Sequence, residues 1–423
     1  MPLRPSRRAP GALPALLLAL CAAAPLGGAL AAQAPTRAAP AADSADPVIR
    51  ALVGRLDLER YKATIKALTR FGDRRQGTAR NRAAVDWIEA QLRSYGCTNT
   101  ARITYDFQPP APRADAGVRT PAGGTPRGNK RIPRAAQGGA RLRGTVGGIG
   151  VNTDSLAQPD TALRRLNSEP SVPGERQEVY CTKVGATHPG EMYIVGAHMD
   201  GIGWGEAAND DGSGTALVME LARILSSPDV TTDRSIRFIL FNNEETGLNG
   251  ARAYVAQRQA LQGKEEPAGS GRFPEPRWLG MIQHDMMLFD HGMPRADGTL
   301  APAQRAEADV NIEFQSKSRQ ANASQALAWA FADANEKYAT DYPATVGQHM
   351  TNTDSSPFMD LVPSISLREN ERGAHVGGGW DPHWHQPTDR YASFSDADFR
   401  LGLNAAQTTL GALATLAGVT LSP

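Results

Sequence analysis

The nine residues MYIVGAHMD (192–200) run apolar with little alternation until they meet a histidine and an aspartate. A strand with one solvated face would alternate, so a run of this kind fits a strand covered on both sides by helices, the situation of a parallel sheet. The stretch SGTALVMELARILSS (213–227) follows, with Leu217, Leu221, Ile224 and Leu225 on one helical face. The alternation then repeats: strand SIRFILFNNEE, helical LNGARAYVAQRQALQG, strand WLGMIQHDMM, strand DVNIEFQS, a helix around 325–338, strand VPSISLRE and a last helix at about 396–417. Upstream lie helical patterns near 47–71 and 81–95, the second with Ala84, Trp87, Ile88 and Leu92 at helical spacing. The strands CTNTARITYDF and EVYCTKVG complete the set. This order predicts an α/β fold, a three-layer α/β/α sandwich around a central, mostly parallel mixed sheet.

Other segments do not belong to that pattern. Residues 1–31 carry Arg4, Arg7 and Arg8 before an apolar stretch and the small-residue site Ala29-Leu30-Ala31, which predicts a signal peptide and an exported, periplasmic or secreted protein. Cys21 does not make this a lipoprotein signal, because Leu20 stands where a small residue is expected. Residues 32–45 read as a flexible Ala/Pro-rich tether, and 46–423 as a single domain. Within it, 109–144 holds eight basic residues against one acidic, rich in Pro and Gly and without apolar periodicity, which predicts a disordered insertion. Beyond the signal, no stretch is apolar for long enough to span a membrane. The whole chain, with 45 basic and 44 acidic residues, lacks the excess of a nucleic-acid binder. Cys97 and Cys181 alone remain after the signal, and could be bridged in an oxidising compartment or stand as two buried thiols.

Ligands of open α/β sheets gather where strands end. That rule selects His198 and Asp200 after one strand, Glu244 and Glu245 after the next and Asp285 after a third. Asp210 and Asp211 stand before a helix, and His385 lies in the late loop WDPHWHQPTD. Each alone has a structural explanation, such as a helix cap or a solvated pair. Together they put acidic groups at the ends of three buried strands, where they repel unless cations neutralise them. His198, Asp210, Glu245, Asp285 and His385 bring three negative charges. Two divalent ions and one hydroxide make that set neutral, as in two-metal hydrolases whose ions lie about 3.5–4 Å apart.

The segments GAHMD, ANDDGSGTA, NNEETGLNGA, HDM and HQPTD, in this order, resemble the secreted bacterial zinc aminopeptidases that share a fold with glutamate carboxypeptidases, the transferrin receptor ectodomain and glutaminyl cyclases. The resemblance covers about residue 71 to the end, apart from the basic insertion. It implies two Zn²⁺ per chain, for which the mixed ligand set would also accept Mn²⁺ or Co²⁺. His198 and Asp285 would be terminal ligands of one ion, His385 and Glu245 of the other, and Asp210 the bridge. Asp200 would hold the His198 imidazole, Asp211 and Asp389 would support the site, and Glu244 would be the general base. His383 competes with His385 as a ligand, and the spacing to Asp389 favours His385. The family's SDHxPF stretch stands here as TDSSPF (353–358), without the histidine, so no role carries over for that loop. The glycines Gly201, Gly203, Gly205, Gly212 and Gly214 are expected to let backbone fold closely around the ions. The stretch 370–385, with His375, Trp380, His383 and Trp384, is expected to wall the substrate pocket.

These readings imply an exported co-catalytic di-zinc exopeptidase acting on peptides, with aminopeptidase as the first assignment. The alternatives are a carboxypeptidase or dipeptidase of the same kind, a glutaminyl cyclase using one zinc, and a receptor-like ectodomain without catalysis. Side-chain preference and oligomeric state are not encoded in these motifs.

Overall fold

The side chains of one row across the sheet show how the two faces are made. Phe238, Val195, Ile282 and Ile365 sit opposite one another on four neighbouring strands, all fully buried in one core. Their sequence neighbours Ile239, Ile194 and Met281 point the other way, into a second core. Both faces are therefore covered, which is why these strands read as unbroken apolar runs.

The computed structural model describes residues 45–97, 99–109, 151–289, 310–369 and 381–422, all within the unit Ser44–Pro423. The expected signal peptide, the tether before residue 45, the basic insertion from residue 110, and His375 and Trp380 lie outside the described residues. The strands are β1 (Ala101–Phe107), β2 (Gly174–Lys183), β3 (His188–His198), β4 (Val230–Thr232), β5 (Arg234–Phe241), β6 (Arg277–His284), β7 (Val310–Glu313), β8 (Ala344–Gly347), β9 (Ser364–Arg368) and β10 (Val419–Leu421). Eight of them form one sheet in the order β1-β2-β5-β3-β6-β9-β7-β8, and β4 pairs separately with β10. The centre β5-β3-β6-β9 is parallel, as is β7-β8, while β1-β2, β2-β5 and β7-β9 are antiparallel. The result is the expected α/β sandwich on a mixed sheet.

The helices are α1 (Pro47–Val53), α2 (Leu58–Thr69), α3 (Ala79–Ser94), α4 (Thr161–Asn167), α5 (Gly212–Leu225), α6 (Asn249–Arg258), α7 (Ala321–Tyr338) and α8 (Asp396–Ala417). The larger core takes residues from α1, α2, α3, α5, α7 and α8, whereas Ala251 and Tyr254 of α6 cover the opposite face with Phe358 and Val362. The helical pattern at 47–71 is in fact two helices. Gly54 ends the first, and the Asp57 side chain caps the second by accepting from Arg60 N at 2.8 Å. A capping box of Ser395 and Asp398 starts α8, and Gly418 in the left-handed region ends it. Cys97 and Cys181 are joined by a disulfide, which ties the turn after α3 to β2 within the larger core. Among the described residues, no helix is long and apolar enough to cross a membrane.

Candidate active site

The three strands β3, β5 and β6 are parallel, so their carboxyl ends open on one edge. β3 stops at His198, β5 stops just before the turn that carries Glu244 and Glu245, and β6 stops just before Asp285. Asp210 precedes α5 by one residue beyond its cap, Asp211. The segment 381–389 brings His385 to the same edge. One oxygen of Asp210 lies 3.2 Å from His198 Nε2 and the other 3.1 Å from His385 Nε2. Asp285 Oδ1 stands 3.8 Å from His198 Nε2, and Glu245 Oε2 stands 2.8 Å from His385 Nε2. Donor atoms of His198, Glu244 and Asp285 also fall within 4.8 Å of one another. The structure thus brings together all five expected ligands and Glu244. They line a cavity of about 100 Å³ whose remaining walls are Gly247, Asn352 and Trp384.

Electrostatics make this set hungry for cations. Burial drives the Glu244 carboxyl well above its ordinary range, and the nearby carboxylates of Glu245 and Asp354 push in the same direction. Burial also takes Glu245 up to about 7. Asp210 is equally buried, yet the hydrogen bonds from both imidazoles hold its pKa below the usual carboxylate range. For Asp285, burial is outweighed by the Arg368 guanidinium and His198, which bring it to about 2. Both imidazoles are desolvated, but the carboxylates facing them hold their pKa well above 6.5. Protons on the imidazoles are one way to balance such a cluster, and metal ions are the other. Three further observations fit metal ions. The donors are imidazole and carboxylate, the types zinc takes; Glu245 Oε1 is buried without a hydrogen-bond partner among the described residues; and His198 Nδ1 is held by the Asp200 carbonyl at 3.0 Å, which leaves Nε2 facing the site.

The supporting residues act in ways the motifs do not reveal. It is the main-chain oxygen of Asp200 that meets the His198 ring, while its carboxylate Oδ1 lies 3.9 Å from Nδ1 and accepts from Glu244 N at 3.0 Å. Asp200 therefore also sets the turn of the two glutamates. Asp211 accepts from His198 N and Gly214 N at 3.0 Å each and from Met286 N at 3.2 Å, fastening the ends of β3 and β6 to α5. Asp389 accepts from Asn209 N at 2.8 Å and Asp210 N at 3.1 Å. Glu244 and Glu245 serve one site because the chain turns there: Asn243 has a φ of 66°, Gly247 has a φ of 125°, and Gly247 N donates to Glu244 O at 2.8 Å. Gly203 makes room for backbone of another segment, since a Cβ on it would lie 2.3 Å from the carbonyl of His385.

Arg368 and Asp354 escaped sequence reasoning. Arg368, at the end of β9, is buried and binds the second oxygen of Asp285. The strand-end rule that selects Asp285 would have found it. Trp384, expected in the pocket wall, is there and stacks on the His385 ring at 4.1 Å between centroids. In the TDSSPF stretch, Asp354 is fully buried and its Oδ1 has no hydrogen-bond partner among the described residues. His383 instead engages Thr388 Oγ1 at 2.9 Å and the edge of Phe394, and does not join the donor set.

Residues 179–407 match the family model described as Peptidase family M28. A 68-residue segment, 16% of this chain and 14% of that protein, is 47% identical to aminopeptidase YwaD of Bacillus subtilis. The matched segment therefore spans about one seventh of that curated relative. Among solved structures, the aminopeptidase from Aneurinibacillus sp. strain AM-1 superposes with a TM-score of 0.53 at 21% identity, over 87% of this chain and 95% of that one. BSAP, a zinc aminopeptidase from Bacillus subtilis, gives a TM-score of 0.54 at 16% identity, over 85% and 95%. At these identities the two structures establish the fold.

Proposed function

The chain belongs to peptidase family M28, matched over more than half of its length, and from that membership we propose that it is an exported co-catalytic metallo-exopeptidase, an aminopeptidase that holds two zinc ions. The observation that carries this reading is the division of Asp210, one oxygen to each of two imidazoles. His198, Asp285 and Asp210 would hold one ion; His385, Glu245 and Asp210 the other. Bound there, zinc lowers the pKa of a water molecule and polarises a scissile carbonyl. The similarity to aminopeptidases named above supports the polarity, and the N-terminal signal pattern with the disulfide supports export.

The chain's own residues then have separable tasks. Glu244, in the cavity wall, takes the proton of the attacking water at a carboxylate oxygen and later delivers it to the leaving amine nitrogen. Asp200 fixes the direction of Glu244 through the main-chain hydrogen bond. Trp384 and Asn352 confine the substrate end and limit the water that enters.

Glu244→Gln tests the assignment. The variant should retain its zinc, measured by metal analysis, while turnover of aminoacyl p-nitroanilides falls by about 10²–10⁴-fold. Near wild-type turnover would remove Glu244 as the base. Cleavage confined to N-blocked peptides, from the carboxyl end, would replace the aminopeptidase reading by a carboxypeptidase one.

A further inference from the structure

His385 is supplied by a loop, and its seat depends on a residue that neither ligates nor lines the cavity. Asn209 is completely buried. Its Nδ2 donates to Asp381 Oδ2 at 2.9 Å and to Glu369 Oε2 at 2.8 Å. Its Oδ1 accepts from Met287 N at 2.9 Å and Leu288 N at 3.0 Å, and lies 3.2 Å from Ser213 Oγ. Its main-chain N donates to Asp389 at 2.8 Å. Asp381 and Asp389 stand four residues before and four after His385. Both turn back onto this one residue, so the loop is held at either side of its ligand. The same amide grips the segment that follows Asp285, and its own chain continues into Asp210. Only a carboxamide supplies two donors and two acceptor lone pairs on so short a stem. A carboxylate could not donate to Asp381 or Glu369, and an apolar residue would take one donor from each of these buried acids, leaving Asp381 with His383 N at 2.8 Å.

We propose that Asn209 is the positioning residue of the site, the clamp that docks the His385 loop against Asp210 and Asp285. The catalytic part of this inference rests on the metallopeptidase reading above; the clamp itself does not. Asp381 is its partner in the loop, and Glu369 its anchor at the end of β9, where Glu369 also accepts from Leu288 N at 3.0 Å and Phe289 N at 2.8 Å.

The test compares Asn209→Ala, Asp381→Ala and Asp381→Asn in the full chain by hydrogen–deuterium exchange, zinc content and steady-state kinetics. Asn209→Ala and Asp381→Ala should each raise exchange across 381–389 by about 10-fold or more, with the amides of β3 and β5 as protected as in wild type. Each should retain about one zinc fewer and lose kcat by ~10–100-fold, with KM moving by less than roughly 3-fold. Asp381→Asn keeps an oxygen acceptor for Asn209 Nδ2 and should recover most of both losses. The double variant Asn209→Ala/Asp381→Ala should lose less than the two single losses combined, because the Asn209–Asp381 link is removed only once. Unchanged exchange in 381–389 overturns the clamp. Raised exchange with unaltered zinc and kcat overturns the positioning role. If Asn209→Ala fails to fold, Asn209→Asp decides in its place, since it keeps the acceptor oxygens and loses the donor to Asp381: wild-type exchange across 381–389 in that variant overturns the clamp. Wild-type protein without zinc or peptidase activity would sink the metallopeptidase reading, and the exchange data would still judge the clamp.

Discussion

Asp210 illustrates how much one short side chain can organise: its two oxygens address His198 and His385, and its main-chain N–H is held by Asp389. The neighbouring His284 shows the opposite use of burial. Its Nε2 meets Thr409 Oγ1 at 2.8 Å and its Nδ1 faces Gly196 O at 3.3 Å, and burial lowers its pKa to about 4. The folded chain thus prefers a neutral ring, whereas the unfolded chain protonates it near the ordinary 6.5. The associated stability is complete above pH 6.5 and is lost as pH falls toward 4, by about 3 kcal/mol. Denaturant unfolding at neutral and acid pH, with chelator present, should show this loss in wild type and a correspondingly smaller one in His284→Gln. An identical pH dependence in both would assign the loss elsewhere. At this scale His198, Asp200, Glu244, Glu245 and Asp285 were legible because they interrupt apolar runs at strand ends, and Asp210 and His385 through the segments ANDDGSGTA and HQPTD. Asn209 and Asp354 were not, because a polar residue in a loop reads the same whether it is exposed or sealed, and only packing distinguishes the two.

Among the elements, the four central strands were legible for the reason that makes them central: both faces are covered. The edges were harder. β8 is four residues long, only partly buried over most of its length and weakly apolar, and the antiparallel β7-β9 pairing depends on contacts far apart in sequence. The break at Gly54–Asp57 was hidden because apolar spacing continues across it, although Asp57 was there as a cap signal. The glycine-rich turn after β3 was expected to make room for ions. At Gly203 the crowding comes from the backbone of the His385 loop, and the residue also has a φ of 96°. Gly203→Ala should therefore displace that loop at a cost of about 1–3 kcal/mol in backbone strain alone. The measurable result is lower zinc retention and a lower melting temperature. A variant with wild-type zinc content and stability would show that the turn tolerates a side chain.

For the molecule as a whole, the donor set is drawn from segments nearly two hundred residues apart, His198 to His385. Ions held only by the native arrangement stabilise it in proportion to their affinity, by about 4 kcal/mol when free metal exceeds Kd a thousandfold. Chelation should lower the calorimetric melting temperature by several degrees, and added zinc should restore it. Equal melting temperatures with and without chelator would show that the native chain does not hold the ions. The layered architecture itself was legible from the alternation of strand and helix, since each element must bury its apolar surface against the next layer. Where β10 docks was not, since its pairing with β4 leaves no periodic trace in either segment.

A ribosome that has released everything through Arg368 has delivered His198, Asp210, Glu245, Asp285 and the arginine beside it, but neither His385 nor the Asp389 that grips the Asp210 backbone. The nascent polypeptide at that stage carries four of the five donor residues and one of the two imidazoles. Closure waits until residues 385–389 have followed Arg368 out, so every shorter nascent chain lacks the second imidazole that faces Asp210.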